Sequence, residues 1–348
     1  MSVAHPPRER LHYPGLRCRD AAATVARLVL ATLIVAAAAC SREAPQPGPP
    51  ATAATLPAGV EAMSLLGQPL SSPPVPAAAR DRLESNLAAA RAAYEHTPED
   101  ADSIIWLGRR IAYLGRYRDA IDVFTQGIAL HPNDARLYRH RGHRYISVRE
   151  FDKAIADLEK GASLVRGQPD EVEADGAPNP YNIPTSTLQS NIWYHLALAH
   201  YLKHDFEAAL PAWLECVKVS ANDDMRVATS DWLYMTLRRL GRAEEAAAVL
   251  EPIRADMRIL ENDAYHKRLL MYKGEITADS LLAVDTDDPV QIATYGYGVG
   301  NWYLYNGDAT KAGAIFQRIV ESQNWSAFGY IAAEAELASQ KAGAGTLP

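Results

Sequence analysis

Cysteine is scarce in this chain of 348 residues, with three in all, at positions 18, 40 and 216. That is too few for a disulfide-stapled fold, and no two are spaced as zinc ligands. Phenylalanine occurs five times, and Val and Ile are modest beside abundant Ala, a balance that favours helix over strand. Neither H-E-x-x-H nor G-x-S-x-G occurs, which removes the best-marked zinc-peptidase and serine-nucleophile patterns. Gly296, Gly298 and Gly300 spell G-x-G-x-G, but no strand precedes them and no phosphate-loop lysine follows, so they read as close-packing positions. Excess positive charge is missing too. The 35 basic and 42 acidic residues give −7, which argues against nucleic-acid binding.

What the chain has is repetition. Between 102 and 164, Gly108 returns as Gly142, Ala120 as Ala154 and Gly127 as Gly161, each after 34 residues. In the first unit Ile104, Leu107, Gly108 and Ile111 share one helical face, and Ala120, Phe124 and Gly127 share another. The small residues let two helices approach while Phe124 fills the space between them. Gly115 and Arg116 make the turn with Tyr117 behind it, and His131-Pro132 closes the pair. Interval and pattern resemble the tetratricopeptide helix-turn-helix repeat. The resemblance implies an all-α, right-handed superhelical solenoid of antiparallel helix pairs. It also implies a role in binding protein or peptide, with no catalysis and no cofactor.

The resemblance covers most of 102–341. Clear repeats fall at about 101–134, 135–168 and 190–222, the third carrying Trp193, Leu196, Ala197, Phe206, Ala209 and Trp213. Weaker ones fall at about 227–260, through Trp232, Leu237, Gly241 and Ala246, and at about 293–325, through Gly300, Tyr303, Gly307, Ala312 and Phe316. The stretch 263–284 is apolar and helical but without register. A helix over 77–94 should open the array and one over 326–341 should cap its end, closing a repeat domain of 77–342 before a flexible tail, 343–348. Cys216 stands where other repeats place Gly127 and Gly161, so it reads as a small core residue rather than a nucleophile. The period breaks over 166–187, where Pro169, Pro178, Pro180 and Pro184 mix with Asp170, Glu171, Glu173 and Asp175. That stretch is either a disordered or decorative insertion, or a flap over a neighbouring surface.

Residues 1–39 read as an export signal. Arg8, Arg10, Arg17, Arg19 and Arg27 precede an uncharged apolar run over 28–39, about a dozen residues and short for a bilayer span. The run ends in small residues immediately before Cys40, which resembles the lipobox of bacterial lipoproteins. An uncleaved membrane anchor with an incidental cysteine is the alternative. The resemblance implies lipid attachment at Cys40 and a place in the bacterial cell envelope. Ser41 after the cysteine points to the periplasmic side of the outer membrane rather than to the inner membrane. Cleavage there leaves 30 basic and 40 acidic residues, or −10. The stretch 40–76 holds nine prolines, Pro45 and Pro76 at its extremes, and reads as an extended tether. Within it Met63-Ser64-Leu65-Leu66 forms an apolar patch able to dock on the repeats.

In arrays of this kind the first helix of each pair lines the inner wall. Its solvent-facing row would be Asp102, Ile105, Arg109 and Ala112, then Arg136, Arg139, His143 and Ile146, then Asn191, Tyr194, Leu198 and Tyr201. Ala228, Asp231, Met235 and Arg238 follow, with Arg239 adjacent, and last come Thr294, Tyr297, Asn301 and Leu304. Five Arg against two Asp on an acidic molecule suit an acidic or carboxylate-bearing peptide, because Arg forks pair with carboxylates and Tyr adds rigid contact area. The expected partner-contacting set is Arg109, Arg136, Arg139, His143, Tyr194, Arg238, Arg239, Tyr297 and Asn301. The same row also reads as a solvated helix face with chance charge. The lysine–asparagine clamp that some family members use for a C-terminal carboxylate is not reproduced; only Asn301 matches in kind. His140 with His143, and His200 with His204, have spacings a metal could use, but no third ligand completes either pair. Two other classes stay open: an enzyme joining the 166–187 stretch to histidines around His140 and His200, and a structural spacer that binds nothing.

Overall fold

A computed structural model describes residues 56–73, 75, 77–283 and 289–344. The stretch 1–39 read as an export signal, Cys40, the first part of the expected tether and residues 345–348 lie outside the described residues. The 34-residue interval is realised as helix pairs: α2 (Ala101–Tyr113) with α3 (Tyr117–Leu130), α4 (Ala135–Ser147) with α5 (Phe151–Val165), and α6 (Leu188–Leu202) with α7 (Phe206–Val219). α8 (Asp223–Arg239) with α9 (Ala243–Leu250), a short α10 (Asp263–Tyr272) with α11 (Ala278–Leu282), and α12 (Pro289–Tyr305) with α13 (Ala309–Val320) continue the array. α1 (Ala77–His96) precedes it and α14 (Phe328–Ala344) follows. The fold is an all-α solenoid of antiparallel helix pairs. Among the described residues no helix is long and apolar enough to cross a membrane.

Short polar side chains start these helices. Asp100 caps α2 by accepting from the Ser103 amide at 2.8 Å, Asn222 caps α8, and Thr187 with Ser190 forms a reciprocal capping box on α6. Glycines then let the mates close. A Cβ on Gly108 would lie 2.4 Å from Phe124 Cε1, on Gly142 2.8 Å from Leu158 Cγ, and on Gly300 2.5 Å from Phe316 Cε1. Gly115, at φ +76°, makes the first turn. Cys216 is fully buried, and burial pushes its thiol up to about 12.

Two stretches differ from expectation, and a third, 166–187, takes the flap form of the two readings left open for it. The second half of the expected tether is an antiparallel hairpin of β1 (Val60–Met63) and β2 (Pro69–Ser71), so the folded unit begins before 77. Docking supplies the reason. Glu61 accepts from the Arg118 amide at 2.8 Å, Trp325 donates to the Ser71 carbonyl at 2.7 Å, and the Leu65 amide donates to Glu334 at 2.6 Å. The apolar patch docks through backbone at Leu65, while the Met63 side chain stays exposed. The 166–187 stretch is ordered, with Val172 bridged to Thr187, Glu173 paired with Arg139 and bonded to Asn191, and Asp170 accepting from the Gln189 amide. Finally, α14 does more than cap α12 and α13. It turns back onto the inner wall, where Phe328 stacks near His143 and Glu336 reaches Arg239.

Candidate functional site

Most of the row expected to face solvent is buried, while Asp102 is exposed and Arg136, His143, Arg238, Arg239 and Leu304 are half-buried. Ile146, Met235, Tyr297 and Asn301 are 0% exposed, and Arg109 and Arg139 are 8% exposed. The array turns so tightly that its inner faces meet. The Tyr201 and Tyr297 hydroxyls, on α6 and α12, are 2.7 Å apart. Asn301 donates to Tyr201 at 2.9 Å, and Tyr194 donates to Tyr265 on α10 at 3.2 Å. What remains of the wall is filled by the chain itself, from two directions.

One filling comes from α14. The buried Glu336 carboxylate accepts from Arg239, and His204 Nε2 lies 3.3 Å away. Burial works against that carboxylate's charge, but His204 and Arg239 hold it below its ordinary value. Arg239 and Tyr297 are thus committed to this chain's own helix, and Asn301 to Tyr201 and Arg239. Arg238 stays at the rim, donating to Asn306 at 2.9 Å, its guanidinium 4.4 Å from the centre of the Tyr305 ring. Arg136 is likewise peripheral, paired with Asp134 at 2.6 Å and Asp102 at 2.5 Å.

The other filling is the 166–187 stretch, laid across α2, α4 and α6. Glu173 Oε2 lies 2.9 Å from Arg139 Nε and accepts from Asn191 at 3.1 Å. Arg109 donates to the Ala174 carbonyl and Arg110 to the Gly176 carbonyl, each at 2.8 Å. Gly176 is needed there, because a Cβ would lie 2.0 Å from the Tyr113 hydroxyl. Beneath this strap is a cavity of about 180 Å³, lined by Arg109, Tyr113, Phe124, Arg139, His140, His143 and Arg144, with Glu173, Asp175 and Glu261 on the lid side. Burial, then the neighbouring guanidiniums, holds His140 well below the ordinary histidine value, and His143 and His195 are depressed in the same way. The His143 and His195 rings are 4.3 Å apart. Burial also brings Arg144 down to about 10.

The structure therefore gathers Arg109, Arg139 and His143 at one place, beside Tyr194 through its neighbour His195. Arg144 and Glu173 belong with them and are missing from the expected set. Arg144 carries a readable signal, standing 34 residues after Arg110 and directly after His143. Glu173 is marked only as one of four acids in its stretch. Among the described residues no three His, Cys, Asp or Glu gather as a metal would need. His140 does meet the 166–187 stretch, whereas His200 sits apart at the α6–α7 turn, 3.8 Å from Asp205.

No family model matches the chain, and no curated protein does. Among solved structures, the chain is similar to YrrB, described as a TPR protein with an unusual peptide-binding site. The identity is 17%, over 72% of this chain and 98% of that one, with a TM-score of 0.38. It is also similar to Naa15/Naa10 bound to HypK-THB, at 15% identity over 76% and 39% of the two chains, TM-score 0.34. The P58(IPK) TPR domain gives 16% identity over 76% and 73%, TM-score 0.27. At overlaps this low nothing about ligands carries over, and the fold stands on the chain's own helix pairs.

Proposed function

We propose that this chain is a non-catalytic interaction protein of the bacterial cell envelope, held by lipid at Cys40 on the periplasmic side of the outer membrane. It binds an acidic protein or peptide segment on its inner wall and uses no cofactor. One observation supports the binding mode: the α2–α4 wall already holds an acidic segment, with Glu173 on Arg139 and two backbone carbonyls on Arg109 and Arg110. A partner of like chemistry competes with 166–187 for those same donors. Arg109, Arg139, His143 and Tyr194 form the working end, with Arg136 and Arg238 at the rims. Arg239, Tyr297 and Asn301 join only if α14 lifts. The lipid anchor rests on the small residues and cysteine at 35–40.

The test is a crosslinking pull-down from envelope extract with the full chain as bait. It is compared with Arg109→Glu/Arg139→Glu, and with a chain in which 170–184 is replaced by a Gly-Ser linker, after circular dichroism shows both keep their helicity. The expected result is a partner held by the parent, enriched on the linker variant and lost on charge reversal. An identical catch from all three overturns the inner-wall reading. For the anchor, radiolabelled palmitate should enter the parent and not Cys40→Ser; an unlabelled parent removes that part.

A further inference from the structure

The cavity under the 166–187 stretch holds a cation, Arg144, that the peptide reading does not use. Its floor carries three guanidiniums, Arg109, Arg139 and Arg144, brought together by α2 and α4. Arg109 is satisfied by the Tyr113 hydroxyl at 3.3 Å and the Ala174 carbonyl at 2.8 Å. Arg139 donates to His140 Nδ1 at 2.9 Å, while its Nε lies 2.9 Å from Glu173 yet is misaligned for a hydrogen bond. The Arg144 guanidinium has neither hydrogen bond nor ion pair among the described residues; it sits 5.4 Å from the centre of the Tyr117 ring. Of the lining carboxylates, Glu173 alone pairs with the floor. Asp175 and Glu261 are exposed at the rim, and Glu261 is taken up by Thr185 and Asn179.

A cation turned into a half-closed polar space without a paired counter-charge, as Arg144 is, is unfavourable, and guanidinium forks bind oxyanions bidentately. The volume, about 180 Å³, exceeds the roughly 150 Å³ that holds a benzene ring, so a compact organic acid fits. His140 and His143, kept neutral by burial, add ring nitrogens for hydrogen bonding without adding charge. We propose that this cavity is a binding site for a small oxyanion ligand, a dicarboxylate or a phosphate compound, held by Arg144 and Arg139 with Arg109 beside them and covered by the 166–187 stretch. Glu173 pairs with Arg139 in this structure, and the ligand takes its place. Ligand and protein partner then use the same Arg139, so each excludes the other.

The experiment is isothermal titration of the full chain, solubilised in detergent, with glutarate, with inorganic phosphate, and with 1,5-diaminopentane as a size-matched cation. Saturable binding of at least one anion and no binding of the diamine is expected. Binding of glutarate alone assigns the carboxylate class, and binding of phosphate alone assigns the phosphate class. Arg144→Gln, which breaks no ion pair, should keep parental helicity and weaken binding about tenfold or more, the worth of one charge-assisted contact. Glu173→Gln should tighten it. Absence of binding to the parent, or parental affinity in Arg144→Gln, overturns the proposal. The pull-down described above reads a different ligand, so loss of one reading leaves the other standing.

Discussion

Arg149 and Glu334 are 185 residues apart in the chain, yet Arg149 Nη2 lies 2.6 Å from Glu334 Oε2, with the two side chains 3% and 1% exposed. The other oxygen of that carboxylate takes the Leu65 amide, and the same Arg149 nitrogen donates to the Trp325 carbonyl at 2.8 Å. One carboxylate therefore joins the hairpin, the α4–α5 turn and α14. Glu334→Ala strands a buried guanidinium and should lower unfolding free energy by about 3–5 kcal/mol. Urea titration measures the loss, and amide exchange at Leu65 should accelerate with it. A variant within about 1 kcal/mol of the parent, with Leu65 still protected, would show that other contacts hold the closure.

The glycine run on α12 yields a paired prediction. A Cβ on Gly298 would lie 2.0 Å from Nε of Arg268, a fully buried residue that pairs with Asp231 at 2.6 Å. Gly298→Ala should cost about 1–3 kcal/mol, the usual effect of overpacking. On α13, the nearest atom to a Cβ at Gly313 is Gln340 Oε1, 3.9 Å away. Gly313→Ala should gain about 0.5–1 kcal/mol, because alanine is the better helix former. Thermal melts should move in opposite directions. Shifts of the same sign would sink the close-packing account of G-x-G-x-G.

Stability should fall in mild acid. Burial depresses His140, His143 and His195 in the folded chain, so the unfolded chain takes up protons first, below about pH 6.5. Their contribution is complete above that pH and is lost on acidification. Asp231 acts in the opposite sense. Burial outweighs Arg268 and pushes its carboxyl up to about 7, so the folded chain binds that proton more tightly and is favoured as pH falls toward about 4. His200, also depressed by burial, adds to the loss, and Asp157, also raised by burial, adds to the gain, so four histidines against two carboxyls leave a net decline. Melting temperatures from pH 7 to pH 5 should drop for the parent and drop less for His143→Gln. Equal slopes would mean that His143 is not held neutral by the fold.

The helix pairs were legible because their cause is local. Gly108 against Phe124 and Gly142 against Leu158 repeat at one interval, and Asp100 or Thr187 marks a helix start within a few residues. The inner wall was not. Whether Tyr201 faces water or Tyr297 depends on how far the array turns between α6 and α12, a sum of small angles that no single residue encodes. Glu334 likewise looks like any acid in a helix until Arg149 and Leu65 arrive from elsewhere. Arg139 and Arg109 were found by their row, but the acidic segment they hold is this chain's own. Proline-rich composition also misled over 57–72, where Pro69 opens β2 of a two-stranded hairpin, a position that loses no ladder bond.

Among the described residues the hairpin precedes every helix and yet is bolted to the last one. Tension applied at residue 56 reaches α14 directly, through Leu65 on Glu334 and Ser71 on Trp325, without passing along the array. Arg118, the third point of attachment, shares the load in parallel. A repeat solenoid free at both ends stretches like a spring; clasped in this way, it resists extension as a closed ring does.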